Sequence, residues 1–215
     1  MTEPATVRTE GLQQRKSRLR RQQILDVAAE NFADKGFYAT SLADIAEQAG
    51  ITPAGILHHF KSKELLLTEL LRLRDARDIE EVTAAAGVRP HGASFLHHLI
   101  ATAYVNERQP VTTRLYAVLS AESLTVGHPA QRWFQKRYAG PRAMIVDALD
   151  EAKSDGHVHA DVDSATTAIA IIAAMDGLQI QWLLNPEAID MGAGTRAVIE
   201  ALTGIRFDPA AHVTP

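Results

Sequence analysis

The chain has 215 residues, of which 46% are hydrophobic, and its 22 Lys and Arg against 26 Asp and Glu give a net charge of −4. This length and composition predict a soluble globular protein with one large domain or two small ones. The sequence contains no cysteine, which excludes disulfides, thiolate metal sites and thiol redox sensing. Because the arginine-rich N-terminus also lacks the apolar region of a signal peptide, we expect a cytoplasmic protein.

Charge is distributed unevenly along the chain. Residues 1–63 contain nine Lys and Arg against seven Asp and Glu, a surplus of +2, whereas residues 64–215 contain 13 against 19, or −6. Five of the basic residues stand close together: Arg15, Lys16, Arg18, Arg20 and Arg21. They favour a flexible basic arm at residues 1–16 that follows DNA phosphates or enters the minor groove, and the alternative is a solvated tail.

Apolar residues recur at helical spacing along almost the whole chain, and alternating strand patterns are nearly absent. The sequence therefore predicts an all-α protein of about nine helices. Caps, glycines and prolines place these at about 17–35, 42–49, 52–60, 62–86, 93–107, 110–126, 129–155, 164–184 and 190–203. We expect a DNA-binding domain at 17–63, a helical ligand-binding and dimerisation domain at 64–204, and a disordered tail at 205–215.

Two short helices joined at Gly50 form the most informative segment. Ser41 is a predicted N-cap with Asp44 as its capping-box acid, and Thr52 and Pro53 begin the second helix. Glycine suits the junction because it adopts a left-handed conformation without a Cβ penalty. This pattern predicts a helix-turn-helix that enters the DNA major groove, although two core helices that happen to meet at a glycine would give the same spacing.

The second helix of this pair has one apolar side, formed by Ile51, Ile56 and Phe60. The opposite side is expected to face DNA and carries Thr52, Pro53, Ala54, Gly55, Leu57, His58 and His59. The other expected DNA contacts are Arg18, Arg21, Thr40, Ser41 and Lys63, with Lys63 on a phosphate.

Matching residues extend from the first helix to the start of the fourth. They are Ile24, Leu25, Ala28, Ala29, Phe32, Gly36-Phe37, Thr40-Ser41, Asp44-Ile45-Ala46, Ala49-Gly50-Ile51, His59-Phe60 and Ser62-Lys63-Glu64-Leu65-Leu66. Over residues 18–70 this pattern resembles the DNA-binding domain of the TetR/AcrR family of bacterial transcriptional regulators. Leu57 stands where the family usually has tyrosine, which favours apolar contact with a thymine methyl group or a sugar. The resemblance implies a homodimeric repressor, a double-stranded operator and a small-molecule effector of unknown identity.

Residues 165–184 are apolar or small at nearly every position. Asp176, Gln179 and Gln181 interrupt the run and no basic flank anchors it, so a membrane span is not expected. A helix that is apolar all round in a soluble protein must be covered on every side, which favours a second subunit. The last two helices are expected to form a four-helix bundle with their copies, as the family does, through Ile180, Trp182, Leu183, Ile199 and Leu202.

Two acidic residues interrupt apolar helical stripes. Glu122 follows Leu115 and Leu119 at helical spacing, and Asp176 follows Ile169 and Ile172 in the same way. A buried carboxylate needs a cation, donors or a ligand, so each belongs either to an effector pocket or to an internal salt bridge or interface contact. Trp133, Phe134, Arg137 and Tyr138 form a neighbouring cluster that plain core packing also explains. The expected pocket comprises Leu96, Leu119, Glu122, Trp133, Phe134, Arg137, Ile172, Asp176 and Gln179.

The nine histidines do not show four metal ligands at diagnostic spacing, so neither a metal nor a cofactor is expected. No nucleophile elbow, phosphate loop or His-Glu-x-x-His motif indicates catalysis. The sequence therefore predicts a ligand-responsive repressor on a near-palindromic operator. Two alternatives stay open: a ligand-independent DNA-organising protein, and a small helical hydrolase that would use Glu122, Asp176 and histidines.

Overall fold

The computed structural model describes residues 11–86 and 90–208, with side chains for all of these except 75–86. All regular structure in these ranges is helical, as the sequence predicts. The helices are α1 (Leu12–Ala39), α2 (Leu42–Gln48), α3 (Pro53–Phe60), α4 (Lys63–Ala86), α5 (Gly92–Glu107), α6 (Pro110–Glu122), α7 (Gln131–Ser154), α8 (Ser164–Leu184) and α9 (Met191–Thr203).

One hydrophobic core joins the N-terminal helices to the C-terminal half of the chain. Phe32 of α1 packs in it with Ile45 of α2 and Ile56 of α3. The same cluster continues through Leu67 of α4 to Leu119 of α6 and also includes Phe134 of α7. The predicted domain boundary at residues 63 and 64 therefore lies within one continuous core.

A second core lies among α5, α7, α8 and α9, with Leu96, Leu149, Ile171 and Ile199 at its centre. The segment after α9 packs against it through Ile205 and Phe207. The Glu200 carboxylate accepts the Phe207 backbone N–H at 3.0 Å. The expected disorder is thus wrong for residues 205–208, because apolar side chains and this hydrogen bond hold the segment; residues 209–215 lie outside the described range.

Helix α1 begins earlier than the sequence pattern indicates. It starts at Leu12 rather than near Ser17, so a flexible arm is wrong for residues 12–16; residues 1–10 lie outside the described range. Leu, Gln, Arg and Lys all have high helix propensity, which explains the extension. Near its other end α1 is interrupted at Gly36, whose φ of 75° and ψ of 177° are not helical, and it ends at Ala39.

Candidate DNA-binding surface and effector site

The two helices of the helix-turn-helix begin at the predicted caps. The Ser41 hydroxyl accepts the Asp44 N–H, and the Asp44 carboxylate accepts the Ser41 N–H, both at 3.1 Å. These bonds hold the pKa of Asp44 below its usual value. Gly50 has a φ of 63°, which a residue with a Cβ rarely adopts, so the chain turns there at little cost. The Thr52 hydroxyl then accepts the Gly55 N–H at 3.1 Å, and Pro53 is the first residue of α3.

The side of α3 that the sequence predicts to face DNA is largely exposed to solvent. Ile56 and Phe60 are buried in the first core. Thr52, Pro53, Ala54, Leu57 and His58 are exposed, and Gly55 and His59 are partly buried. Small side chains at the N-terminal end of this surface permit close approach of the backbone to DNA.

His59 is electrostatically distinct on this surface. Burial lowers its pKa, and the positive charges of His58, Arg21 and Arg20 lower it further. A neutral imidazole has one N–H to donate and carries no charge, so the lowered pKa favours a form of His59 that can donate a hydrogen bond but cannot form an ion pair.

Thr40 does not point towards solvent. Its side chain is 1% exposed, and the hydroxyl donates to the carbonyls of Gly36 at 2.7 Å and Asn31 at 3.1 Å. The prediction of a DNA contact from this side chain is therefore wrong, because the hydroxyl is needed for carbonyls at the end of α1. Ser41 and Arg18, by contrast, are exposed.

Two of the predicted DNA-contacting cations have partners inside the protein. The Arg21 guanidinium donates to the His59 carbonyl at 2.9 Å, pairs with Glu69 at 3.0 Å and lies 4.2 Å above the Phe60 ring. The Lys63 ammonium donates to the carbonyls of Phe37 and Thr40, both at 2.8 Å. Sequence reasoning missed these roles, since both sets of partners become neighbours only through tertiary packing.

Glu122 lies at the end of α6, and its carboxylate has a backbone partner. Its Oε2 accepts the Phe37 backbone N–H at 2.6 Å, across the contact between α6 and α1. A Cβ at Gly36 would overlap the Glu122 carboxylate, so the glycine leaves the space in which this side chain lies. The predicted pocket role of Glu122 is therefore wrong, because packing of α6 against α1 directs the carboxylate to a backbone donor.

Asp176 belongs to a different arrangement, which we call the polar-aromatic cluster: Tyr116 and Ser120 of α6, Trp133, Arg137 and Tyr138 of α7, and Asp176 of α8. The rings of Tyr116 and Trp133 are stacked with centroids 5.9 Å apart. The Arg137 guanidinium lies 4.3 Å from the Tyr116 centroid and 5.4 Å from that of Trp133. Cations are attracted to the negative faces of such rings.

Burial raises the pKa of Asp176, whereas its hydrogen bond with Tyr138 and the charge of Arg137 oppose that change. Burial and this bond raise the pKa of Tyr138 to about 12. The cluster thus combines a partly buried carboxylate, a hydroxyl donor and two aromatic faces where three helices meet. Tyr116 and Ser120 were not predicted, although their spacing of four residues places them on one side of α6.

The other predicted pocket residues are separated by the fold. Leu119 and Phe134 lie in the first core, whereas Leu96 and Ile172 belong to the second. Leu96 and Leu119 are fully buried by neighbouring side chains, so the prediction of one pocket containing both is wrong. Gln179 is partly buried on α8.

Helices α8 and α9 leave an apolar outer face, which we call the α8/α9 face: Ile169, Ala173, Ile180 and Leu184 with Ala193, Ala197, Ala201 and Leu202. All eight residues are exposed in the protomer, and Ile180 is 52% exposed. Among the described helices, α8 is long and apolar enough to cross a membrane. Core helices of soluble proteins have the same length and composition.

Two predicted interface residues do not belong to this face. Trp182, 9% exposed, packs with Ala103 and Met191, and Ile199 is fully buried in the second core. Their assignment to the dimer interface is wrong, because the protomer's own helices already cover them. Leu183 is partly buried beside Trp182, and Leu202 is exposed.

Comparison with protein families agrees with this architecture. Residues 24–70 match the tetR family of bacterial regulatory proteins, and residues 93–206 match the C-terminal domain of BetI-type transcriptional repressors. The chain belongs to the TetR family. Its relatives are transcriptional regulators rather than enzymes, so the hydrolase alternative is excluded.

Individual transcriptional regulators are similar to this chain over most of its length. The transcriptional repressor KstR2 of Mycobacterium tuberculosis is 32% identical over 67% of this chain and 72% of its own length. The regulator TtgR of Pseudomonas putida is 28% identical over 88% and 93%. A regulator from Saccharomonospora viridis, solved in complex with choline, superposes with a TM-score of 0.70 at 22% identity, covering 84% of this chain and 93% of that one.

Proposed function

We propose that this TetR-family regulator is a cytoplasmic repressor that binds a near-palindromic operator as a homodimer and is released by a small molecule. The observation that carries the proposal is the exposed side of α3, which the Thr52 cap and the buried Ile56 and Phe60 orient towards solvent. A helix held in this way can enter a major groove, where the base edges distinguish all four base pairs.

The α8/α9 face supports the homodimer. Its eight apolar residues are exposed on two helices that pack against each other, and apolar surface is stabilised when a second copy covers it. A two-fold dimer presents two α3 helices to half-sites about 34–36 Å apart, so the operator should repeat its sequence with dyad symmetry.

The polar-aromatic cluster is the candidate effector site. Asp176 offers an acceptor, and the stacked faces of Tyr116 and Trp133 attract cationic groups. An effector with a cationic group or hydrogen-bond donors would compete with Arg137 and Tyr138 for these partners. Choline, which the S. viridis regulator was solved with, is the first probe we would use.

Selection of genomic DNA fragments on the purified, full-length protein tests the proposal. A repressor should retain a few defined fragments that share a two-fold symmetric sequence. Equal retention of unrelated duplexes would instead favour a DNA-organising protein, and bound sites without dyad symmetry would contradict the dimeric arrangement. Displacement of the selected operator by choline, measured by fluorescence anisotropy, tests the proposed effector class.

A further inference from the structure

The contact between Glu122 and the end of α1 is more specific than ordinary packing between two helices. The Phe37 N–H donates to Glu122 Oε2 at 2.6 Å, although the residues are 85 positions apart in sequence. Gly36 makes the contact possible in two ways. It provides space where a Cβ would overlap the carboxylate, and it adopts a φ of 75°, which turns the next N–H out of the helical direction.

Phe37 connects this contact to the helix-turn-helix. Its carbonyl accepts the Lys63 ammonium at 2.8 Å, and the same ammonium lies 4.3 Å from the centre of its ring. Lys63 also donates to the carbonyl of Thr40, which directly precedes Ser41, the N-cap of α2. The last turn of α1 is therefore hydrogen-bonded both to Glu122 of α6 and to Lys63 at the start of α4.

His128 lies beside the carboxylate in the connection from α6 to α7. Its side chain is fully buried, and its ring lies edge-on to Phe37 and Tyr38, with centroids 5.3 Å away in each case. The Ala130 N–H donates to Nδ1 at 3.2 Å, so the neutral ring carries its proton on Nε2. That nitrogen lies 3.8 Å from Glu122 Oε2, and no hydrogen-bond partner for it is found among the described residues.

Burial lowers the pKa of His128, and the nearby Glu122 carboxylate opposes this effect. The neutral imidazole therefore has its Nε2–H near Oε2, the same carboxylate oxygen that accepts the Phe37 N–H. The fully buried ring therefore lies beside the carboxylate oxygen that accepts the Phe37 N–H.

We propose that Glu122 is the positioning residue through which α6 controls the helix-turn-helix, acting on the Phe37 backbone with His128 as its support. This inference rests on the proposed function, since it explains how an effector at the polar-aromatic cluster changes operator affinity. Tyr116 and Ser120 of that cluster are on the same helix as Glu122. A shift of α6 withdraws the carboxylate, and the last turn of α1 then loses the bond that orders it.

Operator affinity of four variants tests the proposal. Glu122→Ala removes the acceptor and should weaken operator binding about tenfold, because the bond between a charged acceptor and a partly buried N–H is lost. The matched control is Arg114→Ala, which removes another polar contact between α6 and α1, the exposed 2.7 Å pair with Asp34. An exposed pair contributes little, so we expect less than a threefold change.

Glu122→Gln and Glu122→Asp separate a hydrogen bond from a general charge effect. Glutamine keeps the reach and the acceptor oxygen, whereas aspartate keeps the charge but is one methylene too short. The proposal expects affinity near wild type for Gln and a loss for Asp, and the opposite order would overturn it. This pair also decides the matter if Glu122→Ala does not fold, as judged by circular dichroism.

Amide hydrogen exchange distinguishes a positioning role of Glu122 from a merely structural role. Because coupling is reciprocal, operator binding should slow amide exchange at the C-terminal end of α6 in the wild type and in Arg114→Ala, but not in Glu122→Ala. Equal protection in all three proteins would overturn the inference.

A separate measurement keeps the inference testable if the protein binds no defined DNA. In the free protein, the Phe37 amide should exchange faster in Glu122→Ala than in Arg114→Ala. Equal rates would contradict the positioning role, whereas a difference without any operator would contradict only the proposed function.

Discussion

Leu57 is the large apolar side chain on the exposed side of α3. It is 40% exposed on α3, next to the buried Ile56, at the position where the family usually has tyrosine. A leucine cannot donate a hydrogen bond, and apolar contact with a thymine methyl group is the interaction open to it.

We therefore expect Leu57→Ala to reduce discrimination at one position of each half-site by about 1 kcal/mol, or about fivefold, with little change in protein stability. Binding selections with the two proteins measure the base preference, and thermal unfolding provides the control. A uniform loss of affinity for all sequences would assign Leu57 to a sugar or phosphate instead.

Single residues also mark the limit of sequence reasoning. The spacing from Leu115 to Glu122 correctly shows a carboxylate on an apolar stripe, and it predicts that the carboxylate needs a partner. It cannot identify a backbone N–H as that partner, because Phe37 comes near only after α6 packs against α1. The caps at Ser41 and Thr52 were predictable, since each depends on residues no more than three positions away.

At the scale of elements, boundaries marked by glycine or proline were predicted closely. Helices α5 to α9 begin within two residues of the predicted positions, and α6 ends four residues early, at Glu122. The start of α1 was missed because residues 12–16 contain no helix-breaking signal and Ser17 is a plausible cap. The basic residues before the compact domain are consequently carried on a helix.

The basic residues at the start of α1 should strengthen operator binding through their charge. Replacing Arg15, Lys16 and Arg18 with Gln keeps the helix propensity and should weaken operator binding about tenfold at low salt. The dependence on salt should become shallower, by about 0.9 units for each phosphate that the variant no longer neutralises. The matched control replaces Arg132, Lys136 and Arg142, three exposed cations of α7, with Gln. Equal effects of the two triple variants would indicate general attraction to DNA rather than a role of α1.

Glu69 joins α4 to α1 through an ion pair with Arg21, and the charge of this pair depends on pH. Hydrogen bonds and ion pairs with Arg72 and then Arg21 lower its pKa from 4.5 to about 2. Because the pKa is lower in the folded state, the ionised Glu69 carboxylate stabilises the folded protein. This stabilisation is fully present above pH 4.5 and is lost as the pH falls towards 2.

We expect Glu69→Gln to be less stable than wild type at pH 6 by at most about 1 kcal/mol, because the pair with Arg72 is partly exposed. The difference should disappear near pH 2. Urea unfolding at both pH values measures it, and a difference that persists in acid would mean that packing rather than charge is responsible.

On the scale of the whole molecule, the α8/α9 face is the proposed dimer interface. Sequence periodicity could not separate its residues from Trp182 and Ile199, since a helix that is apolar all round gives no indication of which side its own protomer covers. Only the packing of α8 and α9 on α5 and α7 identifies the uncovered side.

Ile180→Asp should place a charge in the proposed interface and convert the dimer to a monomer. Val126→Asp is the control, because Val126 is exposed in the connection after α6 and is not one of the residues of this face. Analytical ultracentrifugation at micromolar concentration distinguishes the two outcomes. Persistence of an Ile180→Asp dimer would place the interface elsewhere.

The first hydrophobic core has a consequence for modularity. Regulators diversify when a segment that reads DNA recombines with one that senses ligand, and a crossover between residues 63 and 64 would separate Phe32 and Ile56 from Leu119 and Phe134. Each parent protein would then contribute core side chains that packed against different residues in its own fold. Viable hybrids of this chain should therefore inherit α1 and α6 from the same parent, because side chains of both helices fill one core.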